Sequence, residues 1–214
     1  MRCIKTWDFN TYSWVDHYDD VAADDDTMLT RYADVLDAVA HIACPRPGCL
    51  VLDIGTGTGS LAISCLRRGA AIVGFDPSES MLEQEEARVC DARFLMAEDS
   101  LLKLPFANAL FDAVVSSYAF HRIHNDLRGE AIEEIMRVVR PGGVVAIGDI
   151  GFADDATEAR VRAEADFDWL DDKYYLRLDG MASAFSEFGA EMKAVQFTEA
   201  TWLMWAAKPK ACRG

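Results

Sequence analysis

The chain has 214 residues, 51% of them hydrophobic, and carries a formal net charge of −15. That hydrophobic content is enough for a sizeable core in one domain and excludes extensive disorder. A field of that sign repels phosphate backbones and anionic lipid surfaces, so the expected partner is a small neutral-to-cationic molecule, not nucleic acid or a membrane; solubility is an equally good reason for the acidity.

Residues 1–26 are aromatic and acidic and end in Asp24-Asp25-Asp26, with Asp26 or Thr27 placed to cap a helix. Leu29, Tyr32, Ala33, Leu36, Val39 and Ala40 then recur at helical spacing, which predicts a helix over 27–43, ended by Pro45 and Pro47-Gly48. No apolar leader opens the chain and no apolar run reaches the ~18 residues of a membrane span. The six cysteines are scattered without a C-x-x-C pair, and zinc-type spacing is missing, so no metal and a cytoplasmic location are expected. Cys65 falls on the apolar face of a helix, as a packing residue would.

From residue 49 onward strands and helices alternate. The pattern predicts strands at 50–54, 71–75, 93–97, 111–116 and 144–149, with helices over 60–68, from Asp76-Pro77-Ser78 onward, and around Ile132, Ile135, Met136 and Val139. Arg140-Pro141-Gly142-Gly143 turns the chain into the fifth strand. Such alternation builds a parallel sheet covered by helices on both faces. After it come a helix over 155–168, a helical stripe of Met181, Ala184, Phe185 and Phe188 closed by Gly189, and strands at 191–197 and 201–207. Thr198-Glu199-Ala200 is too short for a crossover helix, so the last two strands pair antiparallel. The expected fold is α/β: a doubly wound, mostly parallel seven-stranded sheet ending in an antiparallel hairpin.

The most informative stretch is Val51-Leu52-Asp53-Ile54-Gly55-Thr56-Gly57-Thr58-Gly59-Ser60. An apolar strand runs into an acid, then into glycines at alternate positions, then into a helix. Glycine there lets the backbone turn sharply and approach a ligand, and the helix start offers free N–H groups. In nucleoside-binding sheets an acid at the end of the second strand meets the ribose hydroxyls, and Asp76 occupies that place; the alternative is a plain helix cap before Pro77.

Taken in order, Asp53-x-Gly55-x-Gly57-x-Gly59, Asp76, Glu98-Asp99, Phe111-Asp112-Ala113-Val114-Val115 and Arg140-Pro141-Gly142-Gly143 resemble the motifs of class I, Rossmann-like S-adenosylmethionine-dependent methyltransferases, closest to small bacterial members. The resemblance covers about 50–150 and extends weakly through the hairpin. It implies S-adenosylmethionine as cofactor; with the acidity of the chain, a small-molecule methyl acceptor is expected. It implies that Gly55, Thr56 and Gly57 pass under the methionyl part, that Asp53 helps hold the amino group, and that Asp76 takes the ribose. Pro77 and Met81 would lie near the adenine. Asp99 would accept from the adenine amino group, with Ser100 and Leu101 beside it and Glu98 as a rival. Ser116 and Ser117 would line the floor near the sulfonium. Trp14 and Tyr18 look like an N-terminal lid element, Tyr18 reaching the cofactor's carboxylate; packing of a helix on the sheet is the competing reading. Asp112 matches a structural position and receives no catalytic role.

One domain is expected over 1–214: an N-terminal helical lid (1–45), a cofactor-binding core (46–150), a helical substrate-side insertion (151–190) and the terminal hairpin (191–214). Methyl transfer from a sulfonium needs a base only if the nucleophile must lose a proton. His121, after the fourth strand, has the basicity for that, or else bonds a loop carbonyl or the cofactor's edge. Tyr118 and Tyr174 are candidate substrate contacts, with core packing and an exposed acidic helix as the competing readings. Two alternatives remain at this stage: an NAD(P)-dependent oxidoreductase with an imperfect glycine fingerprint, and an S-adenosylmethionine-binding module without chemistry.

Overall fold

The computed structural model describes residues 31–77, 93–96, 101–164 and 174–210. Helix α1 (Tyr32–Ala43) leads into β1 (Leu50–Ile54), α2 (Ser60–Arg67), β2 (Ala71–Asp76), β3 (Arg93–Met96) and β4 (Phe111–Ser117). Two single 3₁₀ turns, Phe120–Arg122 and Asn125–Leu127, precede α3 (Arg128–Val138) and β5 (Val139–Phe152). Then follow α4 (Asp155–Glu164), the two-residue β6 (Leu176–Arg177), α5 (Leu178–Ser186), β7 (Met192–Gln196) and β8 (Thr201–Ala207). Among the described residues, no helix is long and apolar enough to cross a membrane.

Seven strands lie in the order β3-β2-β1-β4-β5-β8-β7, and β6 pairs with the end of β5 outside that path. The five strands from β3 to β5 are parallel, and β8 is antiparallel to both β5 and β7, as the short link between the last two strands requires. The order runs outward in both directions from the β1–β4 pair. That reversal opens a crevice at the carboxyl ends of these strands, where such sheets bind ligands.

Alternation along each strand sends neighbours to opposite faces. Val51, Ala113, Val115, Ala146 and Leu203 pack with α1 and α2 residues Val35, Val39, Leu61 and Cys65. Leu52, Val114, Val145, Ile147 and Met204 pack with Ile132, Ile135 and Met136 of α3 and Met181 and Phe185 of α5. Both faces are therefore apolar, which is why the parallel strands read as nearly unbroken hydrophobic runs.

Two boundaries differ from the sequence expectation for a visible physical reason. The first helix begins at Tyr32 because Arg31 has φ 65, outside helical geometry; residues 27–30 lie outside the described part. β5 starts at Val139, which pairs with Phe111, and the register then shifts so that Ala113 faces Val144. The Arg140–Gly143 turn is therefore a bulge inside a longer strand, not its entrance. Asp112 secures it, accepting from the Leu50 amide at 2.8 Å and from Arg140 Nε at 2.6 Å. Partial burial pushes the Asp112 carboxyl up, but those donors outweigh it and hold the group below the usual carboxylate range. The helix expected over 155–168 is described to Glu164; the Thr157 amide donates to Asp154 Oδ1 at its start.

Helix α1 lies so close to β5 that a Cβ on Gly148 would come within 2.5 Å of Val35 Cγ1 and 3.0 Å of Val39 Cγ2. Gly148→Ala is expected to lower unfolding free energy by about 1–3 kcal/mol, the usual cost of overpacking a core, as read from the urea midpoint at unchanged m-value.

Candidate active site

The strand β1 ends in a buried acid and the glycine loop begins directly after it. Gly55 sits at φ 68, and a Cβ there would fall 2.3 Å from Ala119 Cβ, so the loop after β4 can approach only because residue 55 has no side chain. The loop is held by donation from Gly55 N to Phe75 O at 2.8 Å and from Gly57 N to Asp76 Oδ2 at 3.0 Å. Asp76, at the end of β2, thus faces the loop with its carboxylate and is itself buried. Helix α2 follows with Gly59 at its N-cap, in the left-handed region at φ 82.

Asp53 is fully buried, and Thr56 Oγ1 donates to its Oδ2 at 3.1 Å. Its Oδ1 is buried and has no hydrogen-bond partner among the described residues. Burial pushes the carboxyl up to about 8; the Thr56 hydroxyl opposes this and the nearby Asp76 charge adds to it. The end of β1 is thus a place where a cation with N–H donors would be strongly favoured.

On the other side of the β4 loop lies His121, in the Phe120–Arg122 turn and buried. Its Nδ1 is 2.6 Å from Asp149 Oδ1 and its backbone N donates to Asp149 Oδ2 at 3.1 Å. Asp149, fully buried near the end of β5, also accepts from Ile150 N at 2.7 Å. The His121 carbonyl accepts from Tyr174 N at 2.7 Å. Arg128, at the start of α3, donates to the carbonyls of Tyr174 and, at 3.3 Å, Tyr175. Burial holds the Arg128 guanidinium down to about 10, still charged at neutral pH, with the Asp149 charge opposing the shift.

Of the residues picked from sequence, Asp53, Gly55, Thr56, Gly57, Asp76 and Pro77 gather around the glycine loop, with Ser116 beside them. Ser116 Oγ donates to Ile54 O at 2.8 Å, tying β4 to β1 beneath the crevice. Tyr118 is buried against α1, its ring 5.2 Å from that of Tyr32. Tyr174 is 37% exposed and sets its ring edge-on to His124 at 4.7 Å, so it stands at the rim while Tyr118 does not. Trp14, Tyr18, Met81, Glu98, Asp99 and Ser100 lie outside the described residues. Asp149 and Arg128 went unnoticed in the sequence. Asp149 does carry the signal that marked Asp53 and Asp76, an acid ending a buried parallel strand.

A family model described as a methyltransferase domain matches residues 51–143. The chain is 31% identical over 206 residues to an uncharacterized methyltransferase of Geobacillus sp. (strain WCH70), covering 91% of this chain and 94% of that protein. It superposes on magnesium protoporphyrin IX methyltransferase from Synechocystis PCC 6803, solved with bound SAH, with a TM-score of 0.71 at 17% identity over 90% of this chain and 93% of that one. A SAM dependent methyltransferase from Aquifex aeolicus gives a TM-score of 0.67 at 16% identity over 95% and 100% of the two chains. The chain belongs to the methyltransferase-domain family, and its fold is the class I methyltransferase fold that the sequence motifs resemble. This sets aside the oxidoreductase alternative.

The raised Asp53 carboxyl has a consequence for stability. Between the unfolded value of about 4 and the folded value of about 8, the folded protein keeps a proton that the unfolded chain gives up. This group therefore makes the ligand-free protein less stable as pH rises through that window, with no further change above it. Asp53→Asn is expected to flatten the decline between pH 4 and 8; urea unfolding across that range should show parallel curves if the carboxyl does not titrate there.

Proposed function

We propose that this protein transfers a methyl group from S-adenosylmethionine to a small-molecule acceptor bound at the β4–β5 side of the crevice. The observation that supports it most is the buried, half-unpaired Asp53 carboxylate at the head of a glycine loop, with Asp76 facing the same loop. A cofactor bearing an ammonium, a sulfonium and a ribose matches that arrangement: donors for Asp53 Oδ1, positive charge against two carboxylates, and hydroxyls for Asp76. Bound there, S-adenosylmethionine supplies an electrophilic methyl group on sulfur.

The residues of the chain do the rest by binding, alignment and exclusion of water. Asp53 and the Gly55–Gly57 backbone hold the amino-acid end, and Asp76 holds the sugar. Pro77 flanks the adenine, and Ser116 supports the floor. His121 lies across the loop from the cofactor with one ring nitrogen committed to Asp149. Its other nitrogen is the group able to take a proton from an acceptor that must lose one. Tyr174, at the rim with His124, offers a ring edge to an incoming acceptor.

Calorimetry with S-adenosylhomocysteine tests the cofactor assignment. Wild-type protein is expected to bind it and not NAD, and Asp76→Ala to weaken binding roughly ten- to a hundredfold, the loss of a charge-assisted hydrogen bond. At pH 7 association should release protons, because the ligand's ammonium, set against Asp53, draws its carboxyl down from about 8. No heat with S-adenosylhomocysteine on folded protein overturns the proposal.

For any acceptor the wild type methylates at a protonated heteroatom, His121→Gln should cut kcat by about 10²–10⁴ while leaving S-adenosylhomocysteine affinity unchanged. Transfer of labelled methyl groups across a panel of phenols, amines and thiols is the measurement.

A further inference from the structure

We infer that Asp149 and Arg128 are positioning residues for His121, fixing Nδ1 as its protonated ring nitrogen and Nε2 as the one that accepts a proton. This rests on the proposed role of His121 but can be tested without an acceptor.

The inference starts from what Asp149 does. A fully buried carboxylate in a sheet is costly unless every lone pair is used. Here Oδ2 takes the His121 amide and Oδ1 takes the Ile150 amide, so both oxygens are acceptors. Against a carboxylate, which can only accept, the 2.6 Å contact from Oδ1 to Nδ1 places the proton on Nδ1. In neutral imidazole this leaves Nε2 with the lone pair.

A ring bond alone would let a three-residue 3₁₀ turn drift. The His121 peptide groups are held on both sides. Asp149 grips the amide, and the Tyr174 amide grips the carbonyl at 2.7 Å. Tyr174 is in turn held by Arg128, which donates to its carbonyl and to that of Tyr175. Arg128 is 7% exposed and is the only guanidinium among the described residues counted as buried, so its placement between α3 and the 174–175 backbone is not that of a surface cation. Asp149 from β5 and Arg128 from α3 thus fix one imidazole through two independent backbone contacts and one ring contact. A purely structural cap on the turn would need the amide bond only and would leave the ring tautomer indifferent.

The test is ¹⁵N-histidine NMR at about pH 8.5, above the usual imidazole range, on wild type, Asp149→Asn, Arg128→Gln and Arg128→Lys, with S-adenosylhomocysteine calorimetry on each. Wild-type His121 is expected as the Nδ1–H tautomer. Asp149→Asn should shift it to a mixture or to Nε2–H with cofactor-product affinity within twofold. Arg128→Gln should speed hydrogen exchange of the Tyr174 amide at least tenfold and broaden the His121 ring signals, and Arg128→Lys should recover part of both. A wild-type Nε2–H tautomer, or an unchanged tautomer in a folded Asp149→Asn protein, overturns the role of Asp149. Unchanged exchange and ring signals in Arg128→Gln overturn that of Arg128. If Asp149→Asn does not fold, the wild-type tautomer and the Arg128 pair decide. Failure of wild type to bind S-adenosylhomocysteine refutes the proposed function instead, and the tautomer is still read on the ligand-free protein.

Discussion

A single buried carboxylate organises this molecule. Asp53 stands at the end of β1, inside the sheet, where water cannot solvate its charge and only the Thr56 hydroxyl answers it among the described residues. Such a group is a liability in the empty protein and an asset once a cation arrives. Asp76, from the next strand, brings its own carboxylate to the same loop, and that charge raises the cost of ionising Asp53. The net charge of −15 surrounds this pair with a field of the same sign.

The loop after β4 joins the two halves of the site. It touches the glycine loop at Ala119, whose Cβ occupies the space that a side chain on residue 55 would need. Two residues later it presents His121 to Asp149. The glycine loop and the His121–Asp149 pair are thus connected through one short stretch of backbone, and Ser116 anchors its start to β1. Parallel pairing of β1, β4 and β5 is what makes this possible, since it brings the carboxyl ends of all three strands to one edge. The antiparallel β8 and β7 contribute to the core and extend the sheet away from that edge.

Much of this could be seen in the residues themselves. Apolar runs bounded by glycine and proline located every main strand, because parallel strands buried on both faces leave no room for polar alternation. The three-residue link before Thr201 required an antiparallel hairpin for reasons of reach alone. Asp53, the glycines and Asp76 marked the loop after β1 because its backbone geometry restricts residue type there. Arg31 was misjudged, since nothing in its neighbourhood signals a left-handed residue before α1. The bulge in β5 was hidden because Pro141-Gly142 reads as a turn whether the strand begins after it or continues through it.

The acids and cations around His121 mark the boundary between the two kinds of information. By itself, the sequence determined the alternating sheet, its antiparallel finish and the tight glycine turn after β1, because these depend on local periodicity, short-range chain reach and the special backbone of glycine. Only the tertiary structure decided that Asp149, Arg128 and Tyr174 meet at His121. Asp149 lies 28 positions from His121, and Arg128 lies 46 and 47 positions from the Tyr174 and Tyr175 carbonyls that it meets, and no local pattern encodes contacts of that range. They arise when β4 and β5 pair in register and the chain returns along the end of β5 at Leu176, so that packing geometry, and not composition, brings them together.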